Sequence, residues 1–307
     1  MERTVNSPIS PDRFRRVSHP PVQTEVSYDR SALSRVWAAL RENRLAMVCL
    51  VLMAIIIAAS ILAPLSPYDP DQYDLMNKLA LPSLAHPFGT DDLGRDYFTR
   101  ALYGGRVSLT VGFFAMLVSV ALGTVVGTVS GYVGGVVDML LMRLLDIIMS
   151  VPTFLLIIII NAYVKPGLPT MIFIIAIFSW MGVARIVRAE TMSLKERDFV
   201  LAAKNLGASD FVIIFRHIIP NMSSSIIVAA SLSIARAILT ESSLSFLGFG
   251  VRLPNSSWGS MLQNAQSQIL YNPFLAVFPG LLILITVLSF NVLGDVLRSA
   301  LEPKIIK

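Results

Sequence analysis

Leu45-Ala-Met-Val-Cys-Leu-Val-Leu-Met-Ala-Ile-Ile-Ile-Ala-Ala-Ser-Ile-Leu-Ala63 runs without one charged side chain. A helix needs about 20 mostly apolar residues to cross the hydrocarbon core of a bilayer. This stretch has that length. The tail before it reaches Arg44, too far for the charged start of a cleaved secretory signal, and the apolar run exceeds a signal's core. It reads as a retained membrane helix.

Working outward, five further runs repeat the pattern. They are Val107–Ser130, Met139–Ala162, Thr170–Val187, Met222–Glu241 and Pro273–Leu293. The whole chain of 307 residues is 54% hydrophobic and 15% charged, against about 25% charged in soluble domains. The expectation is an all-α integral membrane protein with six spans.

Lys and Arg in the connections set orientation. Arg3, Arg13, Arg15, Arg16, Arg30, Arg35, Arg41 and Arg44 precede the first run. Arg185, Arg188, Lys195, Arg197, Lys204 and Arg216 follow the fourth, and Arg298, Lys304 and Lys307 follow the sixth. Six spans with both termini cytoplasmic satisfy all three groups. The net charge of +5 is then an orientation signal, not nucleic-acid affinity. Cys49 alone excludes a disulfide framework, and His19, His86 and His217 are too scattered for a metal site.

The chain divides accordingly. Residues 1–30 are a Pro-, Ser- and Arg-rich tail expected to be disordered. Residues 31–44 place Leu33, Val36, Trp37 and Leu40 on one helical face among arginines, an interfacial elbow helix lying on the bilayer. The first span is 45–63, an external loop 64–106, a five-helix core 107–300, and a cytoplasmic tail 301–307. Gly123, Gly127, Gly131 and Gly135 form a four-residue series that lets another helix approach closely, and Ser225, Ala229, Ser233 and Ala237 form a second small face. Pro152 should kink the third span. Lys165-Pro-Gly-Leu-Pro169 reads as an external turn.

One connection is too long and too ordered to be a simple turn. Residues 188–221 contain Asp198-Phe-Val-Leu-Ala-Ala-Lys-Asn-Leu-Gly-Ala-Ser-Asp-Phe-Val-Ile-Ile-Phe-Arg-His-Ile-Ile-Pro-Asn221. Leu201–Leu206 is helix-compatible, and Gly207 can end that helix in a left-handed cap. Ser209 can cap the next, with Asp210 in its first turn, and Pro220 breaks the chain before the fifth span. Helix, glycine turn, helix, partly apolar, is a docking surface.

This segment resembles the Glu-Ala-Ala loop of ABC importer permeases. Ala202, Ala203, Gly207 and Pro220 match its spacing, with Ile219 in a Leu position, while Leu201 stands for Glu and His217 for Ile. Phe88-Gly-Thr-Asp-Asp-Leu-Gly-Arg-Asp96, Gly105-Arg-Val-Ser-Leu109, Glu241-Ser-Ser-Leu-Ser-Phe-Leu-Gly-Phe-Gly250, Trp258-Gly259 and Leu293-Gly-Asp-Val-Leu-Arg298 are similar to the C-type permease of oligopeptide, dipeptide and nickel importers. The resemblance covers about residues 31–305. It implies a type I importer permease in a bacterial inner membrane. It also implies a homologous B-type permease partner, two cytoplasmic ATPase subunits and an extracytoplasmic solute-binding protein. ATP and Mg would sit on the ATPases, since this chain has no phosphate loop and no cofactor or metal of its own. Ala202, Ala203, Gly207, Ala208, Ser209, Asp210 and Pro220 become the candidate ATPase-coupling residues.

Charges within spans are costly and often functional. Arg143 and Asp146, three apart, can pair with each other or gate. Glu241, ending the fifth span, can line the external mouth or bond to the Leu244–Gly250 turn. Arg236 lies off the Glu241 face and either snorkels or faces the pathway. Asp91, Asp92, Arg95 and Asp96 either touch the binding protein or pair within their own loop. Import of short peptides leads; nickel or another small solute is the alternative within the assembly. An ATP-independent secondary transporter is more distant, and no catalytic constellation favours an enzyme.

Overall fold

The structure is a computed structural model describing residues 32–164, 167–251 and 254–301. Among these, the regular elements are helices, with one isolated bridge between Thr90 and Asp96. α1 (Ala32–Glu42) stops where Asn43 turns the chain and caps α2 (Arg44–Ile61), its side chain accepting from the Ala46 N–H at 3.1 Å. α3 spans Tyr97–Val133, α4 Gly135–Met149, α5 Thr153–Tyr163 and α6 Leu168–Lys195. α7 (Asp198–Asn205), α8 (Asp210–Val212), a π-helical run (Ile213–Ile218) and α9 (Ile219–Asn221) fill the long connection. α10 (Ser223–Phe246), α11 (Trp258–Ala265) and α12 (Phe274–Leu301) follow. The tail 1–30 lies outside the described residues, as do 302–307 and Lys165 and Pro166 of the expected external turn.

α2, α3, α6, α10 and α12 are each long and apolar enough to span a bilayer. The expected third span is instead two helices, α4 and α5, meeting at 75°. A proline removes one backbone donor and its ring displaces the carbonyl four residues back. Pro152 caps α5 rather than kinking a continuous helix. α4 and α5 count as a sixth span only as this bent pair.

α3 starts at Tyr97, not near Val107, because Asp96 caps it with its carboxylate on the Thr99 N–H at 2.7 Å. The 64–106 loop is shorter by that margin. α3 and α6 pack most closely. A Cβ on Gly123 would lie 2.6 Å from the Val183 Cβ, on Gly127 2.5 Å from the Ala184 carbonyl, and on Gly131 2.7 Å from the Arg188 carbonyl. The glycines let the backbones touch. Gly135 does not extend this ladder. Gly134 and Gly135 take φ of +69° and +56° and turn the chain from α3 into α4.

A core of Val111 and Ala115, Ile157, Ile174 and Ile175, and Ala237 and Leu244 joins α3, α5, α6 and α10. At one end of the bundle, Trp258 Nε1 donates to the Ala101 carbonyl at 2.9 Å and the Tyr97 hydroxyl to the Leu275 carbonyl at 2.7 Å. Phe88 stacks on Phe278 with centroids 4.0 Å apart. At the other end, Leu40 of α1 packs with Ala46 and Val296 of α12. The expected single apolar face of α1 is split. Val36 and Leu40 turn toward α12, while Leu33 and Trp37 stay exposed.

Candidate functional site

The connection between α6 and α10 folds into one unit. α7 ends in a paired cap: the Gly207 N–H donates to the Lys204 carbonyl at 3.0 Å and the Ala208 N–H to the Ala203 carbonyl at 3.1 Å. That arrangement needs a left-handed residue at the turn, and Gly207 supplies it with φ +83°. Nothing lies within 4 Å of where its Cβ would be, so conformation, not crowding, selects glycine. Ala203 and Ala208 are half-buried against the same cluster, the apolar contact that accompanies such a cap. Ser209 caps α8, accepting from the Val212 N–H at 3.5 Å.

The π-helical run prepares for Pro220. The Ile219 N–H reaches the Ile214 carbonyl, five residues back. The widened ladder lets a residue without an N–H enter, and such π segments often mark functional places. Asn221 Nδ2 takes up the His217 carbonyl at 2.6 Å.

This unit has two faces. Val200, Ile213, Ile218 and Met222 are buried against Val183 and Val187 of α6. Leu201, Leu206, Phe211 and Phe215 are exposed, Leu206 at 88%, and the Phe211 and Phe215 rings stand 4.4 Å apart. Large apolar side chains exposed on a connection between spans make this unit a candidate interaction surface. Asp210 is fastened from behind, accepting from the Tyr132 hydroxyl at 2.6 Å. Close by, Arg188 of α6 grips Asp138 of α4 with Nε and Nη2, the second contact at 2.5 Å, and Ser130 donates to the same carboxylate at 2.5 Å. The first bond ties the α7–α9 unit to α3, and the second set joins α3, α4 and α6.

Within the bundle, a cleft of about 390 Å³ opens where the α4–α5 bend faces α6 and α10. Arg236 lies on its wall near the middle of α10, with Thr153, Ser179, Gly182, Ser233 and Thr240. Its guanidinium makes no hydrogen bond or ion pair to the described residues. An arginine at the centre of a span costs roughly 2.5–3.5 kcal/mol on insertion.

Glu241 is fully buried on another face of α10. Its carboxylate accepts from Ser108 at 2.9 Å, Ser245 at 2.7 Å and Ser242 at 3.4 Å. Ser257 donates onward to Ser245 at 3.3 Å. A buried carboxyl group is costly unless its oxygens are hydrogen-bonded in this way.

Residues 123–307 match the family described as binding-protein-dependent transport system inner membrane component. Residues 31–86 match the N-terminal transmembrane domain of oligopeptide transport permease C. This chain belongs to the ABC importer permeases. Glutathione transport system permease protein GsiD of Escherichia coli O157:H7 is 42% identical over 278 residues, 90% of this chain and 92% of that protein. The protein of the same name in Shigella boydii serotype 4 matches to the same extent. A solved inward-facing structure of the MetNI methionine ABC transporter matches with TM-score 0.53 and 18% identity, over 64% of this chain and 94% of that one. That last likeness concerns the fold alone. The permease is thus a multi-pass inner-membrane transport subunit of type I fold.

For several site residues of the permease the structure separates the alternatives that the sequence left open. Asp146 pairs with Arg185 of α6 at 2.7 Å, not with Arg143, because α4 lies beside α6; Arg143 is exposed. Glu241 does not end its helix or open to a mouth; it bonds to Ser245 within the expected turn segment and to Ser108 across it. Asp91, Arg95 and Asp96 are buried and partnered inside their loop. Arg95 Nε donates to Asp91 at 2.7 Å, and Asp96 contacts His86 Nδ1 at 2.8 Å while capping α3. Of that group only Asp92 is exposed. Ala202, Ala203, Gly207, Ala208, Ser209, Asp210 and Pro220 lie together on the connection between α6 and α10. Sequence reasoning missed Tyr132, Asp138 and Ser108, whose partners lie 50 to 133 residues away; no local pattern could have found them.

Proposed function

We propose that this permease forms half of a path for short peptides and couples that path to ATP hydrolysed on partner chains. Its mate is a homologous B-type permease. Two ATPases dock on the α7–α9 unit from the cytoplasm, where both termini also lie, and a solute-binding protein delivers cargo to the opposite end. ATP and Mg belong to the ATPases, and this chain does no chemistry.

The observation that carries the reading is the uncovered ridge Leu201, Leu206, Phe211 and Phe215, standing on a unit bonded to α3 and packed on α6. A motor can bias two states of a channel only by contacting them differently. Force on this ridge reaches two spans at once. The basic residues on the same end support a cytoplasmic position. The peptide class follows from the likeness to glutathione permeases and to the oligopeptide permease domain. Nickel or another small solute remains the second reading within the same assembly.

The test is purification through a tag on this chain, with identification of what accompanies it. Two ATPase copies and a second, homologous permease are expected. A homodimer that transports on its own would overturn the reading.

A further inference from the structure

Arg236 is the charged side chain on the wall of the α4–α5/α6/α10 cleft. Among the described residues the wall carries no carboxylate. Hydroxyls of Thr153, Ser179, Ser233 and Thr240 surround an otherwise apolar lining. Thr240 and Ser179 donate to carbonyls of their own helices at 2.8 and 2.7 Å, so both hydroxyl oxygens keep acceptor capacity for an incoming donor. Across from the guanidinium is Gly182, where a Cβ would lie 4.0 Å from Arg236 Nη1. The cleft has the size of a small-molecule site, about 300–1,000 Å³.

A guanidinium at mid-span, exposed to the cleft and with no counter-ion among the described residues, is matched by an anion brought from elsewhere. It offers a planar fork of donors matched to a carboxylate, a geometry that lysine does not reproduce. We propose that Arg236 receives the free carboxylate of the transported peptide as it passes the cleft, which makes it a specificity-determining residue. The hydroxyls are placed to meet amide groups behind that carboxylate. This rests on the peptide reading above and adds which end of the cargo the permease holds.

Reconstitution of the complete complex in proteoliposomes tests it, with a radiolabelled tripeptide and its C-terminal amide as probes. Loss of a charge-assisted bond corresponds to about tenfold or more in affinity. Arg236→Gln is expected to raise KM for the free acid by about that factor and to leave the amide unchanged. Arg236→Lys should restore part of the difference. Equal effects on acid and amide would overturn the proposal, as would no effect on either. Loss of the second permease from the Arg236→Gln complex would overturn it too, because Arg236 would then be an interface residue. If the wild-type complex carries neither probe, the peptide reading itself fails. If the wild type carries the acid and Arg236→Gln is indifferent, only the role of Arg236 falls.

Discussion

The Tyr132 hydroxyl donates to the Asp210 carboxylate at 2.6 Å. This bond ties the last turn of α3 to the first turn after Gly207. It gives the docking unit a second anchor besides its packing on α6. The pair is open to water, so its loss should cost about 1 kcal/mol. Tyr132→Phe should leave assembly and basal ATP hydrolysis intact while transport per ATP falls about fivefold. The ratio measured in proteoliposomes decides it; an unchanged ratio would mean that α3 is moved through α6 alone.

Gly207 is selected by its backbone angle and not by space. Gly207→Ala should cost roughly 1–2 kcal/mol locally, with substrate-stimulated hydrolysis reduced but present. Gly207→Pro cannot adopt φ +83° and also removes the N–H that meets Lys204. It should insert normally and lose stimulated hydrolysis altogether. Gly207→Asn, which tolerates the left-handed region, should behave nearly as wild type. If the proline variant keeps full stimulation, the turn does not transmit force.

Glu241 is buried and bonded to serines of its own chain, and is expected to act as an anchor. Glu241→Ala would strand the Ser108, Ser242 and Ser245 hydroxyls and leave a cavity. The expected loss is about 2–4 kcal/mol, read as a lower melting temperature and poor expression. Glu241→Gln keeps the volume and one acceptor, and Ser108 can accept from the new amide. It should transport at close to the wild-type rate. A Gln variant that is stable but inactive would return Glu241 to the pathway.

Two glycines separate crowding from helix propensity. Gly127→Ala places a Cβ 2.5 Å from the Ala184 carbonyl, so α3 and α6 must part, at about 1–3 kcal/mol. Gly280→Ala in α12 meets nothing closer than 3.9 Å and should gain about 0.5–1 kcal/mol of helix stability. Thermal melts in detergent should move in opposite directions. A higher melting temperature for Gly127→Ala would contradict the α3–α6 contact.

What the sequence made legible was periodic or local. Gly123, Gly127 and Gly131 announce a close helix pair by spacing, and Gly207 and Ser209 announce a stop and a start by residue type. What escaped was set by distant partners. α3 starts at the Asp96 cap, ten residues before the apolar run, and its first turns hold Arg100, buried because it reaches the Pro70 carbonyl at 2.9 Å and Asp71 at 3.3 Å. Hydropathy counts that arginine as a boundary. Asp146 finds Arg185 across a helix interface instead of Arg143 on its own helix. Pro152 starts α5, but a proline alone does not specify the 75° between α4 and α5.

A nucleotide-hydrolysing partner is expected to grip the α7–α9 ridge. Cys49, the chain's one cysteine, is buried, so Leu206→Cys adds a single accessible thiol on that ridge. With a thiol-linked photocrosslinker in the assembled, ATP-hydrolysing complex, the adduct should contain an ATPase chain. Its yield should change when nucleotide is trapped. A working complex in which that position joins no ATPase, or is labelled by an impermeant thiol reagent applied outside the cell, would contradict the account.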